Sequence, residues 1–170
     1  MPEIIIIRHA KSDWSFFNSD FERGLNKRGY KSCHIISHEL KKLINSPEKF
    51  LISPAKRAQL TFEEIFFTWF EEEGLTDKFK TEESLYGGSI KNIIESMKKN
   101  FSGFETCVVI GHNPILNELL HHLASYNKNL IPTNLVTCGC IKIEYKNNFY
   151  SQNDFVDGSV SDYIYPRKFT

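Results

Sequence analysis

Arg8, His9, Arg57 and His112 are the residues whose types and spacing fit a chemical task. Arg8 and His9 follow Ile4-Ile5-Ile6-Ile7, four β-branched residues in a row, which read as a short strand buried on both faces. Lys49 to Ser53 is a second short strand, and Ser53-Pro54 reads as a helix start with Ser as N-cap and Pro in the first turn. Arg57 falls in the first turn of that helix. Thr106 to Ile110 is another strongly apolar strand, and it runs into Gly111-His112-Asn113-Pro114. If these strands are parallel neighbours, their carboxyl ends gather Arg8, His9, Arg57 and His112 at one rim, where open α/β sheets bind ligands. The helices behind Ser53 and Asn113 aim free N–H groups and positive dipole ends at the same rim. Two guanidiniums, two imidazoles and two helix starts suit a dianionic phosphate. The plain alternative for Arg8-His9 taken alone is a strand end with two solvated basic residues.

The same set suits phosphoryl transfer, which needs positioning and charge neutralisation above all. Arginine serves better than lysine, because its fork binds two phosphate oxygens and keeps its charge. A neutral imidazole is a competent nucleophile near pH 7. His9 is the candidate nucleophile, and His112 the donor to the phosphoryl oxygens.

The surrounding elements must hold these groups. Lys11 to Gly24 has no regular period and is aromatic and acidic, so it reads as a loop that rims or covers the site or packs its aromatics onto the body. Asn26 caps a helix predicted to run to about Asn45, with Tyr30, Cys33, Ile36, Leu40, Leu43 and Ile44 on one face. The helix behind Ser53 is predicted to continue to Glu72 or Glu73 and to stop at Gly74. Lys78 to Ser84 is a weak strand or extended loop, Tyr86-Gly87-Gly88 a turn, and Ser89 caps a helix to Phe101. A helix from Pro114 to about Tyr126 follows, then strands at Asn134–Glu144 and Phe149–Phe155 joined by a turn at Asn147-Asn148. The tail Tyr163 to Arg167 carries aromatics enough to dock on the body.

Composition sets the frame. The 170 residues are the length of one domain, and 41% hydrophobic with 25% charged residues is a globular balance. There are 21 basic and 21 acidic residues, so net charge argues against nucleic acid or an anionic membrane as the main partner. Cys33, Cys107, Cys138 and Cys140 contain no C-x-x-C pair and read as buried free thiols in a reducing compartment. Arg8 and His9 interrupt the only apolar run near the N-terminus, so no signal peptide is expected, and no window approaches a membrane span of ~20 residues. The expected location is cytoplasmic. His34 and His38 share metal-like i, i+4 spacing, but no Glu stands between them in a zincin pattern, so they read as solvated. His121 and His122 read as surface residues. Lys11 and Lys56 either add positive field near the pocket or are solvated.

Arg8-His9-Ala10, Ser53-Pro54-x-x-Arg57-x-x-x-Thr61 and Gly111-His112-Asn113-Pro114 resemble the signature of the histidine phosphatase superfamily, also called phosphoglycerate mutase-like. Within it the chain is most similar to the short, SixA-type phosphohistidine phosphatases. Trp14 soon after Lys11-Ser12, Arg23-x-Leu25-Asn26-x-Arg28-Gly29, Leu85-Tyr86, Pro132-Thr133 and Pro166-Arg167 add to the match in the family's order. Gly24 departs from the usual Pro, and Asn134 from a common Gly.

The resemblance implies one domain over residues 1–170, a three-layer α/β/α sandwich with a mostly parallel central sheet. It implies a transiently phosphorylated His9 in a pocket of Arg8, Arg57 and His112, with no metal or organic cofactor. It implies as substrate a phosphohistidine on a signalling or phosphotransfer protein; other members of the superfamily act on small phosphate esters. The short chain lacks a long insertion to enclose a metabolite, which favours a protein substrate over a small-molecule phosphomonoesterase. A non-catalytic phospho-ligand binding domain is the reading from another class. Glu83 is the nearest match to the general acid of larger relatives, with Asp13 and Asp20 as weaker candidates. A phosphoramidate leaves as a readily protonated imidazole, so the need for a strong acid is small. A monomer is the working expectation for assembly.

Overall fold

The computed structural model describes residues 1–15, 18–70, 77–148 and 150–170. β1 (Glu3–Arg8) lies at the centre, and its four isoleucines are wholly buried. Successive strand side chains point to opposite faces. Ile4 and Ile6 therefore join one apolar cluster, and Ile5 and Ile7 another. That alternation makes three layers from one strand. Each isoleucine contributes about 2–3 kcal/mol of transfer free energy.

α1 (Lys27–Leu40) and β2 (Lys49–Ile52) follow, then α2 (Lys56–Phe66) and the short edge strand β3 (Phe79–Thr81). α3 (Ser84–Gly87) is a single turn, and α4 (Ile90–Phe101) leads into β4 (Thr106–Gly111). α5 (Ile115–Leu123) is followed by β5 (Ala124–Tyr126), β6 (Cys140–Glu144) and β7 (Gly158–Ile164). Among the described residues the strands form one seven-stranded sheet in the order β3-β2-β4-β1-β6-β7-β5. β1 pairs in parallel with β4, and β2 in parallel with β4 and β3. β6 runs against both β1 and β7, while β5 is parallel to β7. The sheet is thus mostly parallel, with one reversed strand. α1 and α2 cover one face through Cys33, Ile36, Phe62 and Ile65. α4 and α5 cover the other through Ile93, Met97, Leu116 and Leu120. No described helix is long and apolar enough to cross a membrane.

The caps at Asn26 and Ser89 are as expected: each side chain accepts from the backbone N–H three residues on. Elsewhere the boundaries differ from expectation. α1 stops at Leu40 and not near Asn45, because Lys42 and Leu43 tighten onto the carbonyls three residues back. α2 begins two residues later than expected, with Ala55 and not Ser53 at the N-cap. It tightens into a 3₁₀ turn at Phe67–Trp69; the expected stop at Glu72 to Gly74 lies outside the described residues. The helix predicted to reach Tyr126 ends at Leu123, and its last residues become β5.

Asn134 to Gly139 is not strand. Cys138 sits in the left-handed region (φ 59°), and its N–H reaches back to the carbonyls of Arg8 and His9. The strand expected over Phe149–Phe155 is a 3₁₀ turn at Tyr150–Asn153, with Phe149 outside the described residues. Of the tail expected to dock on the body, Tyr163 and Ile164 end β7, which the sequence reading did not assign, and a 3₁₀ turn at Pro166–Phe169 packs against α1. β7 packs closely because position 158 is glycine: a Cβ there would lie 2.4 Å from the Ile143 side chain.

Candidate active site

Three adjacent strands, β2, β4 and β1, end at one rim of the sheet. Arg8 pairs in register with Gly111, and the His9 N–H donates to the Gly111 carbonyl at 2.9 Å. The Ser53 N–H donates to the Ile110 carbonyl, also at 2.9 Å. Parallel pairing thereby brings Arg8, His9, Ser53 and His112 together across more than a hundred residues of chain. The His9 and His112 rings lie 4.9 Å apart between centroids, tilted by 50°. Arg57 enters from the first turn of α2 and is buried. Thr61 ties that turn to the strand end: its hydroxyl accepts from Ala10 N–H at 2.9 Å and donates to the Arg57 carbonyl at 2.7 Å.

Hydrogen bonds set the direction of each ring. His9 Nδ1 lies 2.8 Å from the Ala10 carbonyl, which can only accept. The proton therefore sits on Nδ1, and Nε2 carries the lone pair. His112 Nε2 lies 2.7 Å from the Ser53 hydroxyl, which itself accepts from the Ala55 N–H at 3.4 Å. The hydroxyl keeps its own proton to donate to Nε2, and in that arrangement the His112 proton is assigned to Nδ1, which faces the site. Ser53 is thus a partner of His112 as well as part of the helix start.

Burial lowers both imidazoles. His9 falls to about 4, mainly through desolvation, with the Arg57, Arg8 and Arg23 charges acting against its hydrogen bond to Ala10. His112 falls to about 3 through desolvation and the neighbouring His9 and Arg57 charges. Both are neutral at pH 7. Arg8 Nε, Arg57 Nε and His112 Nδ1 are buried donors with no hydrogen-bond partner among the described residues. Such groups are rare in a finished core and mark a place built for an acceptor.

Asp20 and Arg23, from the loop after β1, complete the rim. Asp20 accepts from Arg23 (2.8 Å), Arg57 (3.1 Å) and the Tyr86 hydroxyl (3.0 Å). The Arg23 hydrogen bond, with Tyr86 and Arg57 behind it, outweighs partial burial and holds the carboxyl down to about 2. Arg23 also donates to Ser12 and lies over the Trp14 ring at 3.7 Å. The Tyr86 ring meets His112 edge-on at 5.7 Å.

The four residues singled out from sequence as a phosphate pocket are therefore gathered. Glu83 is exposed at the start of α3, and its carboxylate makes no hydrogen bond or ion pair with a described residue. Asp13 accepts from Ser15 and lies away from the arginines' hydrogen bonds. The contacts of Ser53, Tyr86 and Asp20 were not read from the sequence; Asp20 appeared there only as a weak acid candidate. His34 pairs with Glu64 and His38 with Glu39. All four cysteines are buried and free.

No family model matches the chain. A protein of Haemophilus influenzae described as a phosphohistidine phosphatase SixA homolog is 30% identical over 129 residues, covering 71% of this chain and 76% of the relative. A solved protein histidine phosphatase SixA, in complex with tungstate, shares the fold with a TM-score of 0.79 at 19% identity, over 99% of both chains. The phosphoserine phosphatase of Entamoeba histolytica superposes with a TM-score of 0.64 at 12% identity, over the whole of both chains. On the identity and coverage of the Haemophilus relative, with the fold and the ordered motifs in agreement, the chain belongs to the SixA-type phosphohistidine phosphatases of the histidine phosphatase superfamily.

Proposed function

We propose that this chain removes phosphoryl groups from phosphohistidine on a signalling or phosphotransfer protein by way of a phosphorylated His9. The observation that carries this reading is the His9 ring, buried among cations with its Nδ1 proton held by Ala10 and its Nε2 lone pair available. In the first step Nε2 of His9 attacks phosphorus, and the P–N bond of the substrate breaks. The departing imidazole nitrogen takes a proton from solvent or an acid. In the second, water attacks the phosphorus of phospho-His9, a P–O bond forms as the new P–N bond breaks, and inorganic phosphate carries off the water protons with His9 Nε2 restored. Arg8, Arg57 and His112 Nδ1 bind the oxygens on which negative charge is carried.

The whole chain serves as one histidine phosphatase domain, acting as a monomer without metal or organic cofactor. Its buried, unpaired thiols fit a reducing cytoplasm. Glu83 stays the candidate acid for the leaving nitrogen, and a Glu83→Gln enzyme with unchanged kcat would remove it from the mechanism.

The test is a rapid-quench reaction with a carrier protein labelled on a phosphohistidine, in the presence of a chelator. The expected result is fast loss of label from the carrier with transient acid-labile label on this chain. Both are reduced at least about 10³-fold in His9→Ala. Turnover confined to aryl phosphate or 3-phosphoglycerate would make the chain a metabolite phosphatase. Phosphate binding without any turnover would make it a binding domain.

A further inference from the structure

A cavity of about 420 Å³ adjoins the site and shares Arg8 with it. Lys11, Arg28 and Arg167 line it as well, together with Asn134 and Thr137. No carboxylate is among the described residues that line it. Lys11 comes from the loop after β1, Arg28 from the first turn of α1, and Arg167 from the 3₁₀ turn that closes the chain. That closing turn packs against α1, so chain ends far apart in sequence supply one wall.

None of these four cations makes an ion pair among the described residues. Bases that meet an acid are Arg23 and Arg57 with Asp20, Lys42 with Glu39, Lys98 with Asp154, and Lys142 with Glu3 and Glu144; many surface lysines, like these four cations, meet none among the described residues. What sets these four apart is their place: in a chain of 21 bases and 21 acids they line one cavity with no carboxylate among its described lining residues. Like charges gathered this closely repel, and an external anion relieves that repulsion. Three of the four are guanidiniums, whose forks match a carboxylate in two hydrogen bonds. Lys11, Arg28 and Arg167 are exposed, so the cavity opens outward to a side chain carried on another protein.

We infer that this cavity is a second anion subsite, which holds an acidic side chain of the phosphoprotein while its phosphohistidine occupies the pocket of Arg8, His9, Arg57 and His112. The inference rests on the phosphohistidine reading above and narrows it to carriers with an Asp or Glu beside the modified histidine. The shared Arg8 sets the two anions close together.

The experiment uses the double variant Arg28→Gln, Arg167→Gln, whose side chains hydrogen-bond to no described residue and whose removal leaves the fold alone. Two readouts are taken. The first is kcat/KM on a phosphohistidine carrier protein with acidic flanking residues, on free phosphohistidine and on 3-phosphoglycerate. The second is binding of a fluorescent octaglutamate peptide at about 50 mM salt, where surface charge is weakly screened. The expected result is a tenfold or greater loss on the carrier, no change on free phosphohistidine, and loss of octaglutamate binding.

A carrier rate within twofold of wild type overturns the subsite. So does an equal loss on carrier and free phosphohistidine, which would mean the residues act only through the phosphoryl pocket. A loss confined to 3-phosphoglycerate overturns it too, since the second anion would then belong to a small ester. If the wild type hydrolyses no phosphohistidine yet binds octaglutamate through Arg28 and Arg167, the catalytic reading falls and the anion subsite stands. If it does neither, both fall.

Discussion

Asp20 Oδ2 lies 3.1 Å from Arg57 Nη2, and the Asp20 carbonyl accepts from Arg57 Nη1 at 2.7 Å. A protein carboxylate thus sits on the guanidinium fork that is proposed to grip the phosphoryl group. It is also held by Arg23 and Tyr86, so it is a fixed part of the rim. Arg57 is steered by Asp20, and an incoming dianion must share that arginine with an anion already there.

Replacing Asp20 by Asn separates these two effects. Asn keeps an oxygen for Arg57 and removes the negative charge. Two charges several ångströms apart in a partly solvated site interact by about 1 kcal/mol. Phosphate and tungstate should therefore inhibit Asp20→Asn about fivefold more tightly. Weaker inhibition would show that holding Arg57 in place matters more than relieving its competition.

The two imidazoles make stability depend on pH. His9 and His112 are held near 4 and 3 in the fold, whereas an unfolded chain protonates them at about 6.5. Between those values the unfolded chain binds more protons, so stability falls as pH falls. The contribution is fully present above about pH 7 and is lost progressively from about 6.5 downward, on the order of 3 kcal/mol per histidine. Urea midpoints measured from about pH 7.5 to 5, above the carboxylate range, should drop steadily in the wild type and less steeply in His112→Asn. A flat profile would mean that both rings titrate as in water.

The parts of the site legible in sequence were those where one local pattern has one physical meaning. Ile4 to Ile7 ending in Arg8-His9 reads as a buried strand meeting a polar rim, and the isoleucines divide between two clusters as a strand's alternation requires. Asn26 and Ser89 read as caps because a short polar side chain before an amphipathic run has few other uses. Ser53 carried the same signature, yet its hydroxyl is shared between Ala55 N–H and an imidazole 59 residues away. A cap and a distant acceptor demand the same residue type, so sequence cannot separate them. β5 and β7 were missed for a related reason. Ala124 to Tyr126 is too short to show a period of its own, and in β7 only Val160 and Ile164 are buried apolar residues, with Ser161 and Asp162 between them. Asp20 sits in an aperiodic loop, where only the folded chain shows which base it meets.

Ser53 should act on catalysis through His112. Ser53→Ala removes the donor to His112 Nε2 and frees the ring to change tautomer. The loss of one buried neutral hydrogen bond costs stability about 1 kcal/mol, while kcat should fall about tenfold with KM for a small ester little changed. The nitrogen-15 shifts of the His112 ring would report the lost tautomer directly. A fall in stability with unaltered kcat and ring shifts would make Ser53 a structural residue only.

Trp14 is 67% exposed, and the Arg23 guanidinium lies over its ring. An exposed indole fixed at the edge of a phosphate pocket is suited to packing against a protein surface. Trp14→Ala should lower kcat/KM on a phosphohistidine carrier about tenfold and on an aryl phosphate less than twofold. Equal losses on both substrates would place Trp14 in support of Arg23 and not in docking.

Gly29 sets how closely α1 approaches the loop that leaves His9. A Cβ there would lie 2.2 Å from the Lys11 carbonyl oxygen, which also accepts the Asn26 N–H at 3.0 Å. Helix propensity alone would make Gly29→Ala stabilising by up to about 1 kcal/mol. The backbone collision opposes this, and forced repacking of such a contact costs about 1–3 kcal/mol or more. The contacting atom belongs to backbone and cannot swing aside, so the collision should win. Gly29→Ala should unfold at lower urea and, because Lys11 stands two residues from His9, also lose several-fold in kcat. A variant of raised stability and full activity would mean that α1 can retreat from Lys11 without disturbing the strand end, and that the close approach is incidental to the site.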